Sequence, residues 1–298
     1  MCKKLRIAVS TRALFDLEEE NRIFEEKGAE EYIEYQIEHE KEVLKKGPAF
    51  SIIEALLNLN NKSNDEEKPV EVLIMSRNSA EVSLRIFNSI EAYGLDITRA
   101  TFTTGRSIVP YLTAFGADLY LSADENDVKN AIKQNIAAGL IMTNGDYMTD
   151  PIKEIRIAFD GDAVIFSDEA ERVFQTAGVE GFNESEKSLK DLPLNVGPFK
   201  GFLSAVAALQ KEYSKEDIPI RTALVTARSA PAHERVIKTL RSWGIRMDES
   251  FFLGGEDKSE VLRAFGAHIF FDDNEKHIER ASKVVLSARV LYPDDIAA

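Results

Sequence analysis

The sequence predicts an α/β protein made of two tandem parallel-sheet domains related by internal duplication. Three observations predict it. Arg156-Ile157-Ala158-Phe159-Asp160 echoes Arg6-Ile7-Ala8-Val9-Ser10, and 156 − 6 sets an offset of 150 that recurs along both halves. Short continuous apolar runs have the character of strands buried on both faces of a parallel sheet. Helical patterns fill the intervals between those runs, as β–α–β units require.

The same register places Gly197-Pro198 on Gly47-Pro48, Leu224-Val225-Thr226 on Ile74-Met75-Ser76, and Trp243-Gly244-Ile245 on Tyr93-Gly94-Leu95. It also places Ala264-Phe265-Gly266-Ala267 on Ala114-Phe115-Gly116-Ala117 and Ile269-Phe270-Phe271 on Leu119-Tyr120-Leu121, with no gap between the matches. A repeat of this length is a domain rather than a solenoid unit. In chain order, the first copy has predicted strands at 6–9, 70–75 and 118–121 and predicted helices at 50–59, 80–93 and 107–115. The second has strands at 155–159, 222–225 and 268–271 and helices at 199–212, 232–243 and 259–265. The highly charged stretch 17–46 reads as a solvated helix or hairpin, and 60–68 as a polar loop. Residues 143–151 read as the linker, giving Rossmann-like domains at 1–150 and 151–298, the second with a small cap-like insertion at about 174–200.

The 298 residues are 44% hydrophobic and 30% charged, a balance suited to a globular protein with a real core. No run approaches the roughly 20 apolar residues that span a bilayer. The basic start Met1-Cys2-Lys3-Lys4 leads straight into a strand-like segment with no signal-peptide pattern, so a cytoplasmic protein is expected. Cys2 is the only cysteine, which excludes an internal disulfide framework or a multi-cysteine zinc site. The net charge of −14 disfavours nucleic acid and anionic membranes as partners. An anionic substrate would then need local positive charge at its site. A homo-oligomer is one of the assembly states left open.

Ligands of open α/β sheets bind beyond the carboxyl ends of the strands. In the second copy those ends carry Asp160-Gly161-Asp162, Thr226-Ala227-Arg228-Ser229 and Asp272-Asp273-Asn274, and Lys258 opens a predicted helix. Each piece alone has a plainer use: Asp-Gly-Asp makes turns, a strand-end Thr caps helices, and most lysines are surface groups. Their order after three separate strands points to phosphoryl transfer, which needs positioning and charge neutralisation above all. Asp160 can attack phosphorus, and Asp162 can protonate the leaving oxygen and then activate water. Asp160 and Asp272 could share a hard cation such as Mg²⁺. Thr226, the backbone N–H groups of Ala227 and Arg228 behind it, and Lys258 can grip phosphate oxygens.

The four segments 157–164, 224–228, Lys258 and 270–273 resemble the four motifs of haloacid dehalogenase-like (HAD) phosphatases. The longer strings 160–169, 224–229, 239–244 and 269–273 resemble the cytosolic 5′-nucleotidase family, and the likeness extends into Ala8-Val9-Ser10-Thr11-Arg12-Ala13-Leu14-Phe15. The resemblance implies that Asp160 is the nucleophile and a Mg²⁺ ligand. It implies that Asp162 is the general acid/base with a backbone carbonyl on the metal, that Asp272 ligates the metal, and that Asp273 supports it. The substrate it implies is a nucleoside 5′-monophosphate such as AMP or IMP, cleaved through an aspartyl-phosphate. Another small phosphate ester, or a non-hydrolytic nucleotide sensor, are the competing readings.

At the same offset the first copy has Ser10 for Asp160, Arg12 for Asp162, Ser76 for Thr226, Ile108 for Lys258 and Ser122-Ala123 for Asp272-Asp273. It cannot run the same reaction. Ser10, Thr11, Arg12, Ser76, Arg77, Asn78, Thr104 and Arg106 could instead form a metal-free pocket for an anion, such as a nucleotide effector. Equally, the copy could be a packing partner whose polar groups cap helices. For the base of a substrate, Phe166, Phe182, Phe199 and Phe202 are stacking candidates.

Overall fold

The computed structural model describes residues 4–61, 68–142, 151–213 and 218–292. Twelve strands lie among them: β1 (Leu5–Val9), β2 (Phe15–Asp16), β3 (Lys45–Lys46), β4 (Val70–Ser76), β5 (Arg99–Phe102), β6 (Leu119–Ser122), β7 (Ala137–Ile141), β8 (Ile155–Phe159), β9 (Ile220–Thr226), β10 (Glu249–Phe252), β11 (Ile269–Asp272) and β12 (Leu286–Arg289). Ten of them form one sheet in the order β10-β9-β8-β11-β12-β7-β6-β1-β4-β5. Every neighbouring pair is parallel except β12 and β7, which run antiparallel at the middle of the sheet. The fold is therefore α/β with a large, mostly parallel sheet. Reading outwards from the central seam, each half follows the same strand order.

The offset survives in the elements. β1 and β8 start at Leu5 and Ile155, β4 and β9 at Val70 and Ile220, and helices Val109–Phe115 and Ser259–Phe265 at positions equally 150 apart. It is not gap-free. The residues after β1 form a four-residue helical turn, Thr11–Leu14, whereas those after β8 form a wider turn, Gly161–Ile165. Gly47 donates its N–H to Leu14 O and Gly197 to Ile165 O, so Leu14 matches Ile165, one residue beyond the 150 offset. The pairing of Arg12 with Asp162 by simple offset therefore falls inside an insertion.

The sheets expected of the two tandem domains are joined into one at the seam. Ala288 pairs with Ile141 and Arg289 with Leu140, so the ladder crosses from one half to the other. Gly139 makes the approach possible: a Cβ there would lie 2.8 Å from Ala288 Cβ and 2.9 Å from the Phe271 ring. Helix Lys200–Gln210 packs on β1 and β7 of the first half, and helix Phe50–Asn58 packs on β8 of the second. One apolar cluster accordingly holds residues of both halves, among them Ile7, Phe50, Phe159 and Phe271. Burial of such side chains stabilises by about 1.5–3 kcal/mol each, the dominant favourable contribution to a fold of this kind.

Strands 155–159 and helix 259–265 fall where the sequence placed them, and the other strands and helices shift by a few residues. Edge strands β5 and β10, seam strands β7 and β12, the antiparallel β2–β3 pair, and helices Glu125–Lys133 and Glu275–Ala281 were not foreseen. The charged stretch 17–46 contains helices Glu18–Lys27 and Ala29–Glu38, hinged at Gly28 with φ +93°. Its counterpart Glu169–Ser188 breaks at Gly178, with φ +65°. The cap-like segment therefore begins before 174, and each half carries a helical hairpin over its strand ends. The expected linker, 143–150 above all, and residues 62–67 of the polar loop lie outside the described residues, as does the domain division at 150.

Candidate active site

Asp160 follows β8 directly, and its N–H donates to Phe271 O at 2.8 Å, fixing it beside β11. Asp272 is the last residue of β11 and is fully buried. The carboxylates of Asp160, Asp272 and Asp273 each offer an oxygen within 4.8 Å of the others. The strand ends thus bring the predicted carboxylates to one point. Lys258, at the cap of helix Ser259–Phe265, donates 2.7 Å to Asp160 Oδ1 and 2.6 Å to Asp272 Oδ2. Asp272 Oδ1 accepts the Asn274 N–H at 2.8 Å, and His277 Nδ1 lies 3.1 Å from Asp272 Oδ2.

Three carboxylates against one ammonium leave excess negative charge in a buried space. Burial pushes the Asp160 carboxyl up to about 6, with Asp272 and Asp162 adding to it against the attraction of Lys258. Burial, then Asp160 and Asp272, push Asp273 up to about 8. Burial would lower the Lys258 ammonium, but Asp160 and Asp272 outweigh it and hold it well above its ordinary value. Burial would likewise raise Asp272, yet Lys258 and His277 together keep it low. An all-oxygen donor set with surplus negative charge fits a hard divalent cation.

Thr226, at the end of β9, is buried, and its Oγ1 accepts the Arg228 N–H at 3.2 Å. Gly161 approaches so closely that a Cβ there would stand 3.2 Å from Thr226 Oγ1. Ala163 then takes a left-handed φ of +56°, a conformation costly for a residue with a Cβ. Asp162 is not one of the three carboxylates that converge. Ala227 is exposed beside Thr226.

The Arg228 side chain, to which the sequence reading gave no role, is engaged by carboxylates. Its guanidinium grips both oxygens of Asp162 at 2.8 Å and reaches Glu186 Oε2 at 2.6 Å. Burial would lower its pKa, but the two carboxylates raise it overall. Its backbone N–H, the group the sequence offered to phosphate, donates to Thr226 Oγ1. Glu186 also accepts from Arg235 Nη1 at 2.8 Å, and Arg235 reaches Glu169 Oε1 at 3.0 Å. These contacts tie the helical hairpin to Asp162. Glu186 and Arg235 escaped the sequence reading because nothing in their spacing separates them from other charged helix residues.

Phe166, Phe199 and Phe202 are buried core side chains, not base-stacking groups. Phe182 is half-buried, with its ring 5.4 Å from the Arg228 guanidinium carbon. It meets Phe174, 44% exposed, edge to face at 6.2 Å. Phe24 and Tyr32, earlier by 174 − 24 and 182 − 32, form the same T-shaped pair at 5.8 Å.

In the first half, Thr11, Arg12, Ser76, Arg77 and Asn78 line a cavity of about 540 Å³, together with Ser10 and Thr104. Arg106 is exposed and does not line it.

The 5′-nucleotidase family matches residues 1–295 of the chain. Human cytosolic 5′-nucleotidase 1B is 40% identical over 289 residues, covering 94% of this chain and 47% of that protein. The chain thus spans about half the length of this curated relative. No solved structure matches the chain. Among the described residues no helix is long and apolar enough to cross a membrane. With the family matching nearly end to end, and the motif residues 160, 226, 258 and 272 meeting at adjoining strand ends, this chain belongs to the 5′-nucleotidase family.

Proposed function

We propose that the chain is a Mg²⁺-dependent phosphatase of the HAD-like kind that hydrolyses nucleoside 5′-monophosphates to nucleoside and phosphate. The observation that carries this reading is the convergence of Asp160, Asp272 and Asp273 within 4.8 Å, with Lys258 bridging two of them. Asp160, Asp272 and Asp273 would hold the cation, together with the backbone carbonyl of Asp162. When bound, Mg²⁺ supplies charge neutralisation to the carboxylates and to phosphate oxygens.

The residues of the chain divide the chemistry in two. A carboxylate oxygen of Asp160 forms a bond to phosphorus as the ester P–O bond breaks, giving an aspartyl-phosphate. The Asp162 carboxyl gives its proton to the departing nucleoside 5′-oxygen. Asp162 then takes a proton from water, whose oxygen attacks phosphorus and frees Asp160 and phosphate. Thr226, the N–H of Ala227 and Lys258 hold phosphate oxygens. The Phe174–Phe182 pair on the hairpin offers the base an aromatic wall.

The test is phosphate release from AMP, IMP and a panel of sugar phosphates, with and without Mg²⁺, in wild type and Asp160→Asn. Mg²⁺-dependent release from the nucleotides, lost in the variant, is expected. Turnover of sugar phosphates alone would make the protein a different phosphatase, and binding without turnover of any ester would make it a sensor.

A further inference from the structure

Both halves fasten the helical hairpin with one equivalent arginine, which shows what the second half has beyond fastening. Arg85 and Arg235 stand at the 150 offset, and each donates through Nε to a backbone carbonyl at the foot of its hairpin, Glu42 O at 3.2 Å and Leu192 O at 2.9 Å. Their guanidinium tips reach onto the hairpins, Arg85 to Glu20 and Gln36, Arg235 to Glu186 and Glu169. The first half thus docks its hairpin with a single buried arginine.

The second half has another. Arg228 stands where the first half has Asn78, on the same turn: the N–H of each donates to the strand-end hydroxyl two residues back, Thr226 Oγ1 at 3.2 Å and Ser76 Oγ at 3.1 Å. Asn78 hydrogen-bonds Tyr32, whereas every nitrogen of the Arg228 guanidinium donates to a carboxylate. Nε and Nη2 take the two oxygens of Asp162 at 2.8 Å each, and Nη1 takes Glu186 Oε2 at 2.6 Å. The groups it joins are missing from the first half too: Gln36 replaces Glu186, and Ser10-Thr11-Arg12-Ala13-Leu14 holds no carboxylate. Asp162, Arg228 and Glu186 therefore form a set, present in the half with the carboxylate cluster and absent from the half that keeps the hairpin alone.

The geometry gives the set a direction. A guanidinium fork on both oxygens fixes the plane of a carboxyl, which a point charge cannot do. Each Asp162 oxygen keeps a further lone pair, so the grip leaves room for a proton. The Asp162 side chain is 20% exposed and that of Arg228 only 2%, so Asp162 is the end of the set that a ligand meets first. At the other end, Glu186 lies one helical turn after Phe182, whose ring is 5.4 Å from the Arg228 guanidinium carbon. We propose that Arg228 is a positioning residue for protonation of the leaving group: it aims the Asp162 carboxyl and ties that aim to the docked hairpin through Glu186. The helix arm that offers the base an aromatic wall thereby also sets the group that gives its proton to the nucleoside 5′-oxygen. This rests on the reading of the chain as a phosphatase with Asp162 as its acid.

A double-variant cycle on phosphate release from AMP with Mg²⁺ tests it, with kcat and KM measured separately. Arg228→Asn combined with Glu186→Gln copies the residues of the first half, a pairing this fold already accepts. Arg228→Lys keeps the charge and loses the fork, so it repeats the cycle with no buried carboxylate left without a cation. Each is expected to lower kcat by about tenfold or more with KM within about twofold. Added to Asp162→Asn, each is expected to cost no more than about twofold further, since a residue acting through Asp162 has nothing to act on once that carboxyl is gone. Unchanged kcat, a raised KM alone, or losses that multiply in the combined variants would each overturn the proposal. Multiplied losses would make Arg228 a fastener of the fold, and a raised KM a substrate-binding group. Release by wild type with any of these outcomes sinks this inference alone, whereas no release by wild type from any ester sinks the proposed activity and this inference with it.

Discussion

The two halves share a backbone frame and differ in the charges mounted on it. Thr226 Oγ1 accepts the N–H two residues on at 3.2 Å, and Ser76 Oγ does the same for Asn78 at 3.1 Å. Asp272 Oδ1 accepts the Asn274 N–H at 2.8 Å, and Ser122 Oγ accepts that of Asp124 at 3.1 Å. The first half thus keeps one oxygen at each place where the strand-end turn needs an acceptor, and at Ser122 drops the second, charge-bearing oxygen of Asp272. The fold requires the hydrogen bond; the proposed chemistry alone requires the carboxylate. The buried arginine below each hairpin is ion-paired in both halves, but its second partner differs: Arg235 meets Glu169 and Glu186, whereas Arg85 meets Glu20 at 2.7 Å and the neutral Gln36 at 3.0 Å.

The largest expected effect tests whether charge can be returned to the silent half. Asp160→Asn lowers Mg²⁺-dependent phosphate release by about a thousandfold or more, as loss of a nucleophile does. Adding Ser10→Asp to that variant restores nothing, because the first half has Ile108 in place of Lys258 and Ser122 in place of Asp272. Recovery of release in the double variant would break the comparison. Lys258→Met comes next. It leaves the buried carboxylates with no ammonium and destabilises the metal-free protein by about 3–5 kcal/mol, read by denaturant unfolding. Added Mg²⁺ recovers part of the loss.

The acidity of the cluster gives a third handle. Asp160 at about 6 and Asp273 at about 8 hold protons in the folded state that the unfolded chain releases near the ordinary 3.8. Folded protein therefore binds more protons than unfolded between 3.8 and about 8, and the metal-free fold loses stability as pH rises through that window. Asp272, held low, acts only below its ordinary value. Melting temperature followed from about pH 5 to about pH 9 falls without metal and flattens with saturating Mg²⁺. A flat metal-free profile would remove the charge crowding on which the contrast between halves rests.

The smallest effect makes the second half imitate the first. Glu186→Gln puts the Gln36 side chain type beneath Arg228 and Arg235, loosening the clamp on Asp162. A fall of about tenfold in kcat with KM nearly unchanged is expected, since Glu186 is a positioning residue. An equal change in KM alone would place Glu186 in substrate binding instead.

Much of the fold could be read from apolar runs. Strands β1, β4, β6, β8, β9 and β11 are central and buried on both faces, so each leaves a continuous hydrophobic signature. β5 and β10 lie at the sheet edges, are only four residues long and are partly exposed, so that signature is absent. The candidate site was readable from the order of Asp160, Thr226 and Asp272 after three separate strands, since each residue alone has plainer uses. The Arg228 guanidinium received no role from the sequence, because a guanidinium near a strand end suits an anion or a carboxylate equally, and only its neighbours in space choose between them.

By itself the sequence determined the duplication, the alternation of strands and helices, and the identity of the carboxylates, because these are properties of spacing along one chain. Tertiary structure alone decided that the halves join in one sheet through β7 and β12, that Lys258 stands between Asp160 and Asp272, and that Arg228 serves Asp162. It also decided that the first-half arginines are already neutralised. Each of these depends on which groups meet across long sequence separations, where burial strengthens every charge pairing and a distance of a few ångströms selects the partner.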